Sequence, residues 1–525
     1  MCITKATTAM FALAGAALAS PCTTHKHADA CVAGPSERSA LATSAPIAFA
    51  PGSAIPEVRT KRQFLDDVER GYELTFPLFA ACFDENSPPR DDILMAIEET
   101  IYGLNQRYQI GARWPGSQGT QITLTWSLIP DGVFIPAAFA GEPAGPSELF
   151  SRMDSIFTAQ GGRATWIARM ESVYERWSQL SGITFNRITV GGNDWDDGAS
   201  WGSSGSSTRG QMRVAMRNID GGGGTLAYNF FPGSGNGGNM VMDRSENWGN
   251  SSNTHRFLRN VVSHEVGHGI GFNHNCPQNG TKLMEPGLNT NFDGPRHDEI
   301  RAVHRNYGDA FTPNNTTALA HDIGSLSIGQ VAMPCTVPTP FVGNGSLCSI
   351  DRTADVDFFR FEINESASLS VTLSPVGFTY NEAPQNANGS CPSGTAFNSL
   401  TVANIGMQIL TSGGSVIGSA SSNPAGQSEQ IDINLFPGTY FVRVFQTGSI
   451  TQSQLYSLAL SIEEDEIVCP GDITGDNIVD FNDLSLVLGQ FGQSGPGLQG
   501  DVNGDGQVDF TDLSIVLSNF GLDCN

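Results

Sequence analysis

Residues 264–274 read His264-Glu-Val-Gly-His268-Gly-Ile-Gly271-Phe-Asn-His274, an order that few folds can accommodate. Positions four apart on an α-helix share one face, so His264 and His268 can bring two imidazoles to one point. Glu265 stands on the adjoining side, close to that point without being needed as a ligand. Gly271 permits a sharp turn out of the helix that a Cβ would resist, and the turn brings His274 round as a third nitrogen. Three protein ligands leave the fourth tetrahedral position of Zn²⁺ to water, as catalytic zinc requires. Residues matched at this spacing arise by chance in such a chain less than about once in a thousand, so three unrelated structural histidines explain the segment poorly.

The chain has 525 residues, so about three to five domains are expected. Lys and Arg total 28 against 53 Asp and Glu, a net charge of −25. Such an acidic surface repels phosphate backbones and argues against nucleic-acid binding, while clustered Asp suggests calcium. With 15% charged residues and 60 Gly, the composition suits a loop-rich, β-rich protein rather than a long helical bundle.

Lys5 precedes the apolar run Met10–Leu18, and Ala17-Leu-Ala19 has the form of a cleavage site. Residues 1–19 are therefore expected to be a secretory signal peptide. Pro21 beside Cys22 argues against a lipid anchor. No other run approaches the roughly 20 apolar residues of a membrane span, so the expected product is secreted, either free or attached at the cell surface. Residues 20–104 read as a leader and candidate pro-segment, with helical spacing at Ile93, Ile97, Ile101 and Leu104. Near its start, His25 and His27 lie between Cys22 and Cys31, where a disulfide-closed loop outweighs a metal site. Export permits disulfides. Cys2 leaves with the signal, and the local pairs expected are Cys22–Cys31, Cys335–Cys348 and Cys469–Cys524.

Three regimes follow. In residues 105–312, strand-like 121–129, 183–190 and 211–216 alternate with helical spacing at 163–180, stopped by Gly182, and at 254–272. Residues 313–463 show short alternating strands such as Val356–Ile363, Leu369–Leu373, Tyr440–Phe445 and Tyr456–Ile462, the pattern of a β-sandwich. Residues 464–525 contain a repeat, Gly471–Leu488 and Gly500–Leu517, and no Lys or Arg.

The zinc-ligand pattern followed by Lys282-Leu-Met284-Glu-Pro286 resembles the metzincin signature with its methionine turn. Leu226–Gly233, Gly237–Trp248 and Asp298–Gly308 are similar, in the same order, to segments of the matrixin branch. The resemblance implies an α+β zinc metalloendopeptidase in which Zn²⁺, held by His264, His268 and His274, activates water with Glu265 as general base and acid. It implies structural roles for Gly271 and Met284. It implies a calcium loop of Asp220, Asp243 and Glu246 with the carbonyls of Gly221, Gly223 and Thr225. The family's second zinc site is expected to be lost, because its ligand positions fall on Arg213, Ala215, Tyr228 and Val241; one zinc is expected. Leu226 and Ala227 would lie on the edge strand that pairs with substrate, and Val261, Pro286 and Leu288 would wall an apolar pocket. Family latency uses a pro-segment cysteine, but Ala80-Ala-Cys82-Phe-Asp lacks the surrounding motif.

Asp355–Phe361 and Pro437–Val444 resemble the bacterial pre-peptidase C-terminal domain, a β-sandwich. The repeats resemble a type I dockerin, a small α-helical module of two EF-hand-like calcium loops. That implies ligands Asp472, Thr474, Asp476, Ile478, Asp480 and Asp483 in the first loop. In the second it implies Asp501, Asn503, Asp505, Gln507, Asp509 and Asp512. Asn477 stands where Gly506 makes the turn. The resemblance also implies a cohesin-like partner, although Phe481-Asn482 and Phe510-Thr511 depart from the commonest partner-reading pairs. The expectation is thus a multidomain, secreted zinc endopeptidase acting on protein or peptide, with Zn²⁺ and Ca²⁺. The rivals are a dockerin-attached adhesion or scaffold-binding protein with a vestigial peptidase, and a carbohydrate-degrading component inferred from the repeats alone.

Overall fold

The computed structural model describes residues 112–339, 344–386, 389–464, 469–495 and 497–523, with the backbone of strands at 3–5 and 79–83. The expected Cys22–Cys31 loop, the helical spacing at 93–104 and Cys524 lie outside these residues.

In chain order the first unit comprises β1 (Ile3–Lys5), β2 (Phe79–Phe83), β3 (Ile122–Leu128), β4 (Phe134–Ile135) and β5 (Gly145–Pro146), then helices α1 (Leu149–Phe157) and α2 (Gly162–Gln179). Then come β6 (Ile183–Arg187), β7 (Met212–Arg217), β8 (Thr225–Phe230), β9 (Met240–Asp243), α3 (Ser252–Gly269), β10 (Asn275–Cys276) and α4 (His297–Tyr307). One seven-stranded sheet has the order β1-β2-β8-β9-β7-β3-β6. Pairings among β6, β3, β7 and β9 are parallel, which requires long crossovers; α1 and α2 supply the one from β3 to β6. Strands β7, β8 and β9 are buried throughout.

Helix α2 buries Trp166, Ile167, Met170, Val173, Tyr174 and Trp177 in the main core. Each such side chain contributes about 1.5–3 kcal/mol. Trp126 of β3 stacks on Tyr174 at 4.0 Å. The chain leaves α2 at Gly182, where a Cβ would come 2.2 Å from the Tyr307 carbonyl oxygen. The start of α3 departs from expectation: Asn253, Thr254 and His255 have φ of 50°, 61° and 61°, so the right-handed helix begins after them.

The second unit contains β11 (His321–Leu326), β12 (Val331–Ala332), β13 (Cys348–Ile350), β14 (Val356–Ile363), β15 (Ala367–Val376), β16 (Thr379–Pro384) and β17 (Thr395–Asn398). It continues with β18 (Ile405–Thr411), β19 (Val416–Ala420), β20 (Glu429–Leu435), β21 (Gly438–Gln446) and β22 (Gln454–Glu464). The sheets β11-β14-β21-β18-β19 and β12-β22-β15-β20, with β13 on β22, enclose one core. Alternation puts Phe359, Phe361, Leu369, Val371, Leu373, Leu458 and Leu460 inside. The expected Cys335–Cys348 disulfide is present.

The boundary near 312 is not a break between independent bodies. Strand β10 of the first unit pairs with β16 of the second, and Cys276 is bridged to Cys391. Arg301 of α4 donates to the Ser453 carbonyl, the Tyr380 hydroxyl and Gln452 Oε1. Nothing in local spacing foretold these contacts.

The last unit is two loop–helix repeats ending in α5 (Phe481–Gln490) and α6 (Phe510–Ser518). Its core centres on Val479, Val487, Val508 and Val516. Cys469 is in a disulfide.

Candidate metal centre

Helix α3 delivers His264 and His268 from one face, and both are fully buried. Gly271, at φ +106°, turns the chain; a Cβ there would lie 2.0 Å from the Ala112 carbonyl oxygen. The turn returns His274, 1% exposed, to the pair. The three Nε2 atoms lie 2.9, 3.2 and 3.1 Å apart. Each Nδ1 meets an oxygen acceptor: His264 the Leu283 carbonyl at 2.7 Å, His268 the Phe272 carbonyl at 2.5 Å, and His274 Gln385 Oε1 at 2.8 Å.

This pattern fits a cation. Acceptors at all three Nδ1 positions put the ring protons there, so three Nε2 lone pairs converge. Such atoms cannot bond one another, and their spacing is near the roughly 3.3 Å expected of nitrogens about 2.0–2.1 Å from one tetrahedral zinc. Burial lowers all three pKa values, His264 to about 4, which keeps the rings neutral. Glu265 is fully buried and neither carboxylate oxygen has a hydrogen-bond partner. Burial holds that carboxyl well above its ordinary range.

Met284 packs under the centre. A Cβ on Gly267 would lie 2.5 Å from Met284 Sδ, so the glycine within the zinc motif makes room for this sulfur. Two carboxylates missed by sequence reasoning hold the turn. Glu285 accepts the amides of Asn279, Gly280, Thr281 and Lys282. Glu299 accepts the amides of Met284 and Arg296. Glu299 sits in a capping box whose N-cap is Arg296, so the usual Ser/Thr signature of such a box was missing.

Other expected residues are placed as follows. Asp220, Asp243 and Glu246 gather on one loop with Gly221, Gly223 and Thr225, where their oxygens accept main-chain amides. Asp243 Oδ2 takes those of Ile219, Asp220 and Gly221, Asp220 takes Thr225, and Glu246 takes Gly223. Burial raises Asp220 to about 6. Among the positions expected to have lost a zinc site, Arg213 is buried on Asp196, with Nε 2.7 Å from Oδ2, and also donates to the carbonyls of Ala199 and Ser200. A guanidinium thus pins that loop. Ala215, Tyr228 and Val241 are core residues.

Leu226 and Ala227, expected on the strand that pairs with substrate, lie on β8. β8 pairs with β9 on one side and with β2 on the other, Cys82 standing opposite Ala227. Val261 is buried in the main core, Pro286 is buried, and Leu288 packs half-buried against that core.

In the C-terminal repeats, Asp472, Asp476 and Asp483 bring ligand oxygens within reach of one ion. Asp483 accepts the amides of Ile473, Thr474 and Asp480, and Asp512 those of Val502, Asn503 and Asp509. Asn477 adopts φ 65° and Gly506 φ 84°, so both make the same left-handed turn. Thr474, Ile478 and Asp480 line the first loop; Asp501, Asn503, Asp505, Gln507 and Asp509 occupy the second. No helix among the described residues is long and apolar enough to cross a membrane.

Residues 156–308 match the family model described as matrixin, and residues 355–446 match the bacterial pre-peptidase C-terminal domain. The chain therefore carries a matrixin peptidase domain followed by a pre-peptidase C-terminal domain. Matrix metalloproteinase-18 of Xenopus laevis is 30% identical over 164 residues, covering 31% of this chain and 32% of that relative. Interstitial collagenase of Sus scrofa is 30% identical over 187 residues, 35% of this chain and 37% of the relative. Neutrophil collagenase of Homo sapiens is 30% identical over 166 residues, 31% and 32% respectively. The chain spans about a third of the length of these relatives. The repeats after residue 469 lie outside both matched ranges.

Proposed function

We propose that the protein is a secreted zinc-dependent endopeptidase that hydrolyses peptide bonds in protein substrates. The observation that carries this reading is the convergence of three buried, neutral imidazole Nε2 atoms beside the unpartnered carboxylate of Glu265. Zinc held by His264, His268 and His274 would act as a Lewis acid and lower the pKa of a bound water. Glu265 takes the proton of the attacking water and delivers it to the leaving nitrogen. Met284 and Gly267 fix the floor on which the imidazoles stand.

Substrate would add as a strand to β8, with Leu226 and Ala227 supplying main-chain bonds and Val261, Pro286 and Leu288 an apolar wall. Strand β2 of the leader lies on that side of β8, which supports reading residues 20–104 as a pro-segment removed at maturation. Calcium would bind the Asp220/Asp243/Glu246 loop and the two C-terminal loops, and the repeats would attach the enzyme to a cohesin-like partner.

The test is Glu265→Gln in the processed protein. Zinc content should stay at one per chain while casein cleavage falls by at least about 10²–10⁴-fold. Undiminished cleavage would remove Glu265 from its role, and chelator-insensitive cleavage by the unaltered protein would sink the zinc mechanism.

A further inference from the structure

A histidine presents Nε2 to a metal in a fixed direction only when an acceptor holds its Nδ1 proton. For His264 and His268 those acceptors are main-chain carbonyls of Leu283 and Phe272, inside the peptidase domain. His274 is served instead by a side chain 111 residues away, in the connection between β16 and β17 of the sandwich. The amide of that side chain is itself oriented. Gln385 Nε2 donates to the Gly389 carbonyl at 2.6 Å, which turns Oε1 toward His274 Nδ1 at 2.8 Å. The proton therefore sits on Nδ1, and Nε2 of His274 faces its two partners at 3.2 and 3.1 Å.

The connection carrying Gln385 is tied down on both sides. Immediately after His274, β10 pairs with β16, Asn275 opposite Pro384 and Cys276 opposite Ala383. Beyond the turn, Cys391 is bridged to Cys276 with Cα atoms 5.4 Å apart. Gln385 is 7% exposed, so water competes little for its amide.

We propose that Gln385 is a positioning residue of the metal centre, so that the sandwich completes the peptidase's third ligand rather than trailing it as an independent appendage. The proposal rests on the zinc reading above. Without the sandwich, His264 and His268 keep their carbonyl acceptors, while the His274 ring loses its fixed tautomer and orientation. The disulfide and the β10–β16 pairing set the distance over which the amide acts.

The test uses the full chain. Gln385→Met preserves length and packing but has no comparable acceptor. Zinc affinity, measured by competition with a chromophoric chelator, should weaken about 10–100-fold. The visible spectrum of the Co²⁺-substituted protein should shift, while a cooperative thermal transition of the metal-free protein shows that the variant still folds. Gln385→Glu, which keeps an oxygen opposite Nδ1, should recover most of the affinity. A folded methionine variant with parental affinity and cobalt spectrum would overturn the proposal. If that variant does not fold, ring ¹⁵N shifts of His274 in the metal-free parent decide: a proton fixed on Nδ1 supports the assignment, and one on Nε2 overturns it. Failure of the parent to take up zinc would refute the zinc reading itself, whereas the other outcomes bear on Gln385 alone.

Discussion

Two regions of this chain gather metal-ligating side chains, and they are built in opposite ways. The histidine centre is buried, uses nitrogen donors, and stands on a large core that includes Trp177, Val262, Val266 and Met284. The C-terminal loops are open to solvent, use oxygen donors, and stand on a core centred on four valines. The first is framed by that core. The second brings like charges together with little apolar burial to offset their repulsion, so the calcium proposed above would supply a large part of its folding free energy. The difference teaches that donors can be gathered either by a large apolar core or with little apolar burial beneath them.

The largest expected effect separates the two regions directly. Chelator treatment should melt α5 and α6 and open residues 469–523 to proteolysis, while residues 112–464 stay folded with a lowered but still cooperative thermal transition; calorimetry with limited digestion reads both. Concerted unfolding of the whole chain would erase the distinction. Next comes Arg213→Ala, which strands Asp196 in the core and should cost about 3–5 kcal/mol in urea unfolding. That loss should be insensitive to added zinc, since an ion pair holds this loop.

A separate cluster of carboxyls, Asp309, Asp351 and Asp355, is buried where peptidase and sandwich meet. Burial and neighbouring Asp355 push Asp351 up to about 9, and burial with Asp355 pushes Asp309 to about 7. A carboxyl with a raised folded-state pKa contributes stability that is complete below its unfolded value near 3.8 and is lost as pH rises through the folded value. Melting temperature measured in chelator should therefore fall between neutral pH and pH about 9, and Asp351→Asn should flatten that fall by a few degrees. The smallest effect is Asn477→Gly. Relief of a left-handed asparagine should add up to about 1 kcal/mol to the first loop, read as a slightly tighter calcium titration of that loop alone.

Legibility followed sequence separation. Val356–Ile363 forms a strand with the bounds its alternation suggested, and the apolar spacing of 163–180 became α2. The zinc motif was legible because one helical turn and one glycine turn bring its members together. The repeats were legible because a duplicated loop states its own period. The first turn of α3 was misread because a left-handed start carries no apolar signature. The pairing of β2 with β8 was not foreseen because strand addition by a distant segment leaves no mark on β8.

By itself, then, the order of residues determined the local chemistry: which histidines face one point, which carboxylate stands beside them, where strands alternate, and which loops repeat. Tertiary structure alone decided which distant groups finish those pieces. Gln385 on His274, Cys391 on Cys276 and Asp196 on Arg213 join segments whose separation imposes no periodicity, since only chain folding brings their surfaces into hydrogen-bonding or covalent range.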